Sequence, residues 1–254
     1  MSTEPAARPD RRARPLPDRA RLPLDPRHFD VLAGDYDRYA ALVDPLGEWL
    51  TGLGLTPGRP DSRALDAGCG SGRHAVALAS AYDEVLAVDL SLPLIEAARL
   101  RRPHERVDYR VGDLREVTAG DGFDLVLCLA TLHHLPDLDM GLEHLRGLVR
   151  PGGTVVLADN VAPRPVPPRW SYTADAVAAF PGDARRLGPR DAWWLLRFRA
   201  GNRRLSYLLS DHYLAPAEFD RRCGAVFPGA EITDLGFARG LIWHSPADGS
   251  PGTA

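Results

Sequence analysis

Ala64-Leu65-Asp66-Ala67-Gly68-Cys69-Gly70-Ser71-Gly72 is a short apolar run that breaks into alternating glycines, and an alanine-rich stretch (residues 74–82) follows it. Apolar run, glycine turn, helix former is the order of a buried parallel strand feeding a helix. Glycines at such a turn let the backbone bend tightly and approach a ligand closely. A dinucleotide loop of the G-x-G-x-x-G kind would have its third glycine at position 73, which is Arg73. The acid two residues ahead of the loop, Asp66, is also foreign to that fingerprint.

Downstream, strands and helices alternate. EVLAVD at Glu84–Asp89 reads as a strand. Residues 92–102 read as a helix that Ser91 can cap. Strands are expected over residues 107–112 and, as a buried run, over Phe123–Leu129. Leu138, Leu142, Leu145 and Val149 fall on one face of a helix. Pro151-Gly152-Gly153 reads as a turn into a strand over residues 154–159. Five such alternations imply an α/β fold, a parallel sheet with helices on both faces. Upstream, helices are expected over residues 31–39 and 42–53. Residues 162–212 break the pattern. They read as mostly helical, too long for an ordinary connection, and are expected to be a lid or substrate-cover insertion. Residues 216–223 read as a helix, and 232–236 with 240–244 as a closing strand pair.

The expected organisation is a leader over 1–27, one domain over 28–245 and a flexible tail over 246–254. The leader holds seven arginines and six prolines, a composition that cannot bury enough apolar surface to order itself. Four acids interrupt its charge, so a disordered leader is expected ahead of a basic arm. The chain of 254 residues carries 31 basic side chains and no lysine. That excludes Schiff-base, P-loop and kinase lysines, and any Tyr-x-x-x-Lys pair. A net charge of −3 gives no global case for nucleic acid or an anionic membrane. Cys69, Cys128 and Cys223 lack paired spacing, so neither disulfides nor a metal site is expected. There is no apolar signal segment and no run of 18 apolar residues, and a cytoplasmic protein is expected.

Three acids fall at the ends of three successive strands: Asp66, Asp89 and Asp113. Ligands of open α/β sheets bind at those carboxyl ends. Asp89, 21 residues beyond Gly68, is placed to accept both hydroxyls of an adenosine ribose. Asp113 can accept from an adenine amino group while Leu114 lies on the ring.

Residues 64–79 (ALDAGCGSGRHAVALA), Val88-Asp89, Gly112-Asp113-Leu114, 123–137 (FDLVLCLATLHHLPD) and 149–158 (VRPGGTVVLA) resemble the successive motifs of class I S-adenosylmethionine-dependent methyltransferases. Residues 28–40 (HFDVLAGDYDRYA) are similar to the entry helix of small-molecule members. The resemblance implies a Rossmann-like seven-stranded sheet, mostly parallel, with its last strand antiparallel. It implies S-adenosyl-L-methionine as cofactor and S-adenosyl-L-homocysteine as product. Asp66, Gly68 and Gly70 would serve the methionine part, Asp89 and Leu90 the ribose, and Asp113 and Leu114 the adenine. Leu129 and Ala130 would border the methionyl group, and Tyr36 would close over it.

A sulfonium methyl is already activated, so the protein's work is alignment and exclusion of water. An acidic acceptor also needs a base. His133 and His134 are the candidates, the alternative being that one packs on the following helix and the other touches cofactor. Asp211 and His212 form a second pair, alternatively a surface turn. Trp193 and Trp194 read as an amphipathic lid helix, or else as an aromatic wall or dimer contact. The expected acceptor is a small molecule, with no nucleic acid and no membrane as partner and a monomer or homodimer as assembly. A tRNA or protein acceptor is the alternative, disfavoured because no N-P-P-Y-type motif follows Phe123–Leu129 and no strongly basic domain is present. A non-catalytic cofactor-binding module is the other alternative.

Overall fold

The structure is a computed structural model and describes residues 33–162, 168–201 and 213–247. The leader, the start of the expected entry helix, Asp211-His212 and the last seven residues lie outside the described residues.

Two helices, α1 (Ala33–Leu42) and α2 (Pro45–Gly52), precede the sheet. Their boundary is chemical. Asp44 accepts a hydrogen bond from the Gly47 amide at 2.8 Å, and Pro45 fits the first helical turn, where no amide is needed. The second helix therefore starts three residues later than its apolar pattern suggests.

β1 (Arg63–Ala67), α3 (Arg73–Ala79), β2 (Glu84–Asp89), α4 (Leu92–Arg101), β3 (Val107–Val111), β4 (Phe123–Leu129), α5 (Leu138–Leu148) and β5 (Val149–Asn160) follow in order. Ser91 caps α4 through the Leu94 amide, as its position predicts. After β5 come α6 (Arg169–Leu187), α7 (Pro189–Ala200), α8 (Pro216–Val226), β6 (Glu231–Asp234) and β7 (Ala238–His244). The seven strands lie in the order β3-β2-β1-β4-β5-β7-β6. Among the described pairings, β7 runs antiparallel to both its neighbours and the others are parallel. This is the Rossmann-like class I sheet that the resemblance implies.

Strand parity divides the core. Leu65 and Ala67, Val126 and Cys128, and Val155 and Leu157 face Leu142 and Leu145 of α5 and Phe219 of α8. Ala64, Leu125, Leu127, Val156 and Ala158 face Leu46 and Leu50 of α2, Leu78 of α3 and Ile95 of α4. β4 is central, and all seven of its residues are buried. Its apolar run is the consequence, and the one acid in it, Asp124, accepts from the Arg63 amide at 2.9 Å. The three cysteines are buried and unbridged. No helix among the described residues is long and apolar enough to cross a membrane.

One expected turn is instead part of a strand. Pro151-Gly152-Gly153 lies within β5, where the pairing to β4 shifts register between Val149 and Thr154. Gly152 takes φ +74 and its amide reaches the Ser245 carbonyl at 3.1 Å, so the segment is an irregularity absorbed by neighbouring chain. The described residues of the expected insertion, 168–201, form two packed helices, α6 and α7, held by Asp183 and Arg199 at 2.6 Å.

Gly72 ends the loop after β1 at φ +79, and a Cβ there would stand 2.5 Å from the Tyr109 ring. Gly72→Ala is expected to cost about 1–3 kcal/mol from left-handed strain and overpacking. A lowered urea midpoint at unchanged slope is the expected observation, and an unchanged midpoint contradicts this account of the loop.

Candidate functional site

The carboxyl ends of β1, β2 and β3 are tied to one another through backbone hydrogen bonds. Gly68 and Cys69 donate their amides to the Val88 carbonyl at 2.8 and 3.0 Å. Gly70 donates to one oxygen of Asp89 at 2.8 Å, and Ser91, which caps α4, donates to the other at 2.9 Å. Gly112 closes the set by donating to the Asp89 carbonyl at 3.0 Å. Such amide donors hold a carboxylate in one orientation.

The joined loops wall a cleft at the carboxyl ends of the strands, where ligands of open α/β sheets bind. Tyr36, Gly68, Gly70, Asp89, Leu90, Asp113, Leu114, Leu129, Ala130 and His134 all line it. The strand-end rule thus brings most of the expected site residues together. Asp113 caps the turn after β3 through the Arg115 amide. Hydrogen bonds from the Arg115 guanidinium hold its carboxyl below the usual carboxylate range, against the opposing effect of partial burial.

Asp66 is placed differently. It lines no wall of this cleft and lies beneath the glycine loop, about 1% exposed. Burial pushes its carboxyl up to about 6, with Asp89 adding to the rise and His74 opposing it. Its Oδ2 has no hydrogen-bond partner among the described residues.

A second cavity shares Tyr36, Gly68, Gly70, Leu129 and Ala130 with the first. At this shared wall Ala130 takes φ +50, a left-handed conformation rare outside glycine and found where function holds backbone under strain. His133 lines the second cavity, while His134 lines the first, with the two rings 3.8 Å apart. His133 Nδ1 lies 2.6 Å from Asp159 Oδ1, and the His133 amide donates to Asp159 Oδ2 at 2.7 Å. Both side chains are almost fully buried, 4% and 5% exposed.

Asp159 was legible in principle. It lies one residue from the carboxyl end of β5, the same kind of position that singled out Asp89. A second missed group lies beside the glycine loop. Asp44 stands 3.3 Å from His74 Nε2 and 3.5 Å from Arg73 Nε, and all three line the second cavity. Burial pulls the His74 pKa down, but Asp44 and Asp66 together raise it above the usual value. A third is Asp37 on α1. It accepts from Ser71 Oγ at 2.5 Å and from Arg102 at 2.9 Å, and is paired with Arg101. It pins α1, and with it Tyr36, over the loop. Local periodicity carries no trace of pairs this far apart in sequence.

Residues 65–157 match a family model described as a methyltransferase domain. Over 103 residues the chain is 37% identical to the ubiquinone biosynthesis O-methyltransferase of Xanthomonas campestris pv. campestris (strain B100), across 39% of this chain and 43% of that protein. It is 32% identical over 135 residues to the malonyl-[acyl-carrier protein] O-methyltransferase of Serratia marcescens, across 53% and 51% of the two chains. The chain spans about half the length of the curated relatives it matches. Its fold is similar to that of magnesium protoporphyrin IX methyltransferase from Synechocystis PCC 6803, solved with bound S-adenosylmethionine. The TM-score is 0.52 at 18% identity, covering 91% of this chain and 98% of that one.

The Asp66–His74 pair carries a pH prediction. The folded-state pKa of Asp66, about 6, lies above the unfolded value of about 3.9, so the folded state holds the extra proton between these limits. Stability then falls as pH rises from 4 to 6, by on the order of 2–3 kcal/mol. The raised His74 pKa acts in the same direction, its contribution being present below about 6.5 and lost above its folded value. The urea midpoint is expected to drop between pH 5 and pH 8, and to drop less in Asp66→Asn. Equal slopes in the two proteins contradict the assignment.

Proposed function

We propose that this chain, whose residues 65–157 match a methyltransferase domain and whose sheet has the strand order of the class I S-adenosylmethionine-dependent methyltransferase fold, transfers the methyl group of S-adenosylmethionine to a small-molecule acceptor. The observation that carries this reading is the junction of two cavities. One is walled by the glycine loop and strand-end acids, the other by aromatic and polar side chains, and Tyr36, Leu129 and Ala130 belong to both.

The first cavity fits the cofactor. Gly70 sits at φ +53 with nothing within 4 Å of where a Cβ would stand, so backbone is open to a ligand there. Asp89, fixed by the Gly70 and Ser91 amides, is assigned the ribose hydroxyls, with Leu90 beside it. Asp113 and Leu114 are assigned the adenine end. Gly68 and Gly70 are assigned the amino-acid end, where Arg73 and Asp44 offer charges complementary to a carboxylate and an ammonium. Asp66 lies below the loop, and its part is to support the loop and His74. When bound, the cofactor supplies an electrophilic methyl on a positive sulfur.

The chain's own residues do the rest. Leu129 and Ala130 border the shared wall and set where an acceptor atom can approach. Tyr36, anchored through its helix by Asp37, covers that wall and excludes water. The His133–His134 pair is assigned removal of the acceptor proton where the acceptor carries one. The α6–α7 hairpin contacts α1 through Arg38 and Asp191 at 2.9 Å and Tyr39 and Phe198 at 5.1 Å, which supports its reading as cover for the acceptor side.

Isothermal titration with S-adenosylmethionine tests the reading first. Binding is expected, and Asp89→Ala is expected to weaken it by about 1–3 kcal/mol through loss of charge-assisted hydrogen bonds. Absence of binding at millimolar cofactor would sink the proposal. Formation of S-adenosylhomocysteine with an added acceptor separates an enzyme from a module that only binds.

A further inference from the structure

We propose that the outer face of the α6–α7 pair docks on the surface of an anionic bilayer, with its aromatic side chains in the interface and its arginines against the headgroups. Such docking is independent of the transfer reading above.

An α-helix turns about 100° per residue, so the spacing tells which side chains share a face. On α7 the side toward the domain is marked by two contacts with α1. Asp191 pairs with Arg38 at 2.9 Å, and the Phe198 ring lies 5.1 Å from that of Tyr39. Trp193 is two residues beyond Asp191 and five before Phe198, so it points to the other side, and it is 55% exposed. On α6, Ala176 and Asp183 are buried, Asp183 against Arg199 of α7. Trp170, Val177 and Phe180 fall on an adjoining face, within about 80° of one another. Trp170 is 70% exposed and Val177 57%. Phe180 meets Trp193 edge-on at 6.3 Å, which joins the two rows into one apolar surface. Exposed apolar side chains scattered singly are ordinary, but three on one face mark a contact surface.

The rim of that surface is basic. Arg190 and Arg197 lie three residues before and four after Trp193, one turn to either side of it. Arg185 lies eight residues beyond Val177, about two turns along α6. All three arginines are exposed, and none takes part in an ion pair among the described residues. The acids of the pair are placed elsewhere. Asp183 is buried with Arg199, and Asp191 faces Arg38. Asp175 is two residues before Val177, about 160° round the helix from it. Residues 168–201 thus hold six arginines and three aspartates in a chain whose net charge is −3. The total averages over this local asymmetry.

An apolar centre with a basic rim selects its partner by charge. Tryptophan settles at the boundary of headgroup and hydrocarbon, its ring in the apolar layer and its N–H in the wet one. Arginines beside it meet lipid phosphates. A second copy is disfavoured, because an isologous contact of this face brings like-charged rims together. A nucleic acid would satisfy the arginines but set Val177 against a charged backbone. The contact is peripheral, as no helix among the described residues is long and apolar enough to cross the membrane.

The test is cosedimentation of the full chain with vesicles of equimolar phosphatidylcholine and phosphatidylglycerol, beside vesicles of phosphatidylcholine alone. Binding to the mixed vesicles is expected, and it is expected to weaken with added salt. Arg185→Gln, Arg190→Gln and Arg197→Gln together are expected to weaken it on the order of a hundredfold, at about fivefold for each arginine. Trp170→Ala with Trp193→Ala is expected to weaken it about tenfold or more. The replaced side chains are exposed, so unchanged urea midpoints are expected in both variants. Should the tryptophan variant lose its fold, the arginine variant decides the matter. No binding to the mixed vesicles, or equal binding to phosphatidylcholine alone, would overturn the proposal. Binding that survives in both variants belongs to the arginine-rich leader and overturns it as well. A dimer in sedimentation velocity that both variants abolish would assign the face to a second copy instead.

Discussion

The carboxylate of Asp89 accepts one amide from the glycine loop and one from the start of α4. Through it the loop after β1 and the turn after β2 become one rigid wall. The carbonyl of the same residue takes the Gly112 amide and draws in the turn after β3. Parallel strands make this possible, because their carboxyl ends all emerge on one side of the sheet. The interactions are worth little singly against water, yet together they fix where backbone, acid and apolar side chain face a ligand. The first cleft, α1 and the second cavity are all built around that wall.

A second layer of polar contacts positions the elements that cover it. Asp37 is buried under Ser71, Arg101 and Arg102, so α1 is held against the loop and α4 together. α1 in turn carries the hairpin. Arg38 pairs with Asp191 and lies 4.4 Å over the Trp194 ring, while Tyr39 packs on Phe198. Trp194 therefore serves an interhelix contact. Its neighbour Trp193 meets Phe180 edge-on and is 55% exposed. The sequence reading treated the two tryptophans as a pair, but adjacent helical positions point about 100° apart and cannot share one role.

The sheet was legible because local patterns encode it. The bounds of Glu84–Asp89 and Phe123–Leu129 are those read from apolar runs, and Ser91 caps the helix that it was expected to cap. The cleft was legible for a related reason, since strand ends can be located once the strands are known. Four things were not. The bond between His133 and Asp159 joins residues 26 apart in sequence, and that between Asp37 and Arg102 spans 65. Neither leaves a periodic signal. Asp66 resembles the other strand-end acids in sequence, but its side chain faces into the packing under the loop, and only burial distinguishes it. Pro151-Gly152-Gly153 has turn chemistry, yet Ser245 bonds both Gly152 and Gly153 and carries the strand through.

The central claim is that the wall built on Asp89 holds S-adenosylmethionine. Hydrogen exchange of the full chain, followed by mass spectrometry with and without S-adenosylmethionine, tests it most directly. Slowed exchange is predicted in peptides covering residues 66–73, 88–92, 111–115 and 129–134, with no change in β6 or at the amino ends of the parallel strands. Protection confined to other segments, or none at saturating cofactor, would contradict the account.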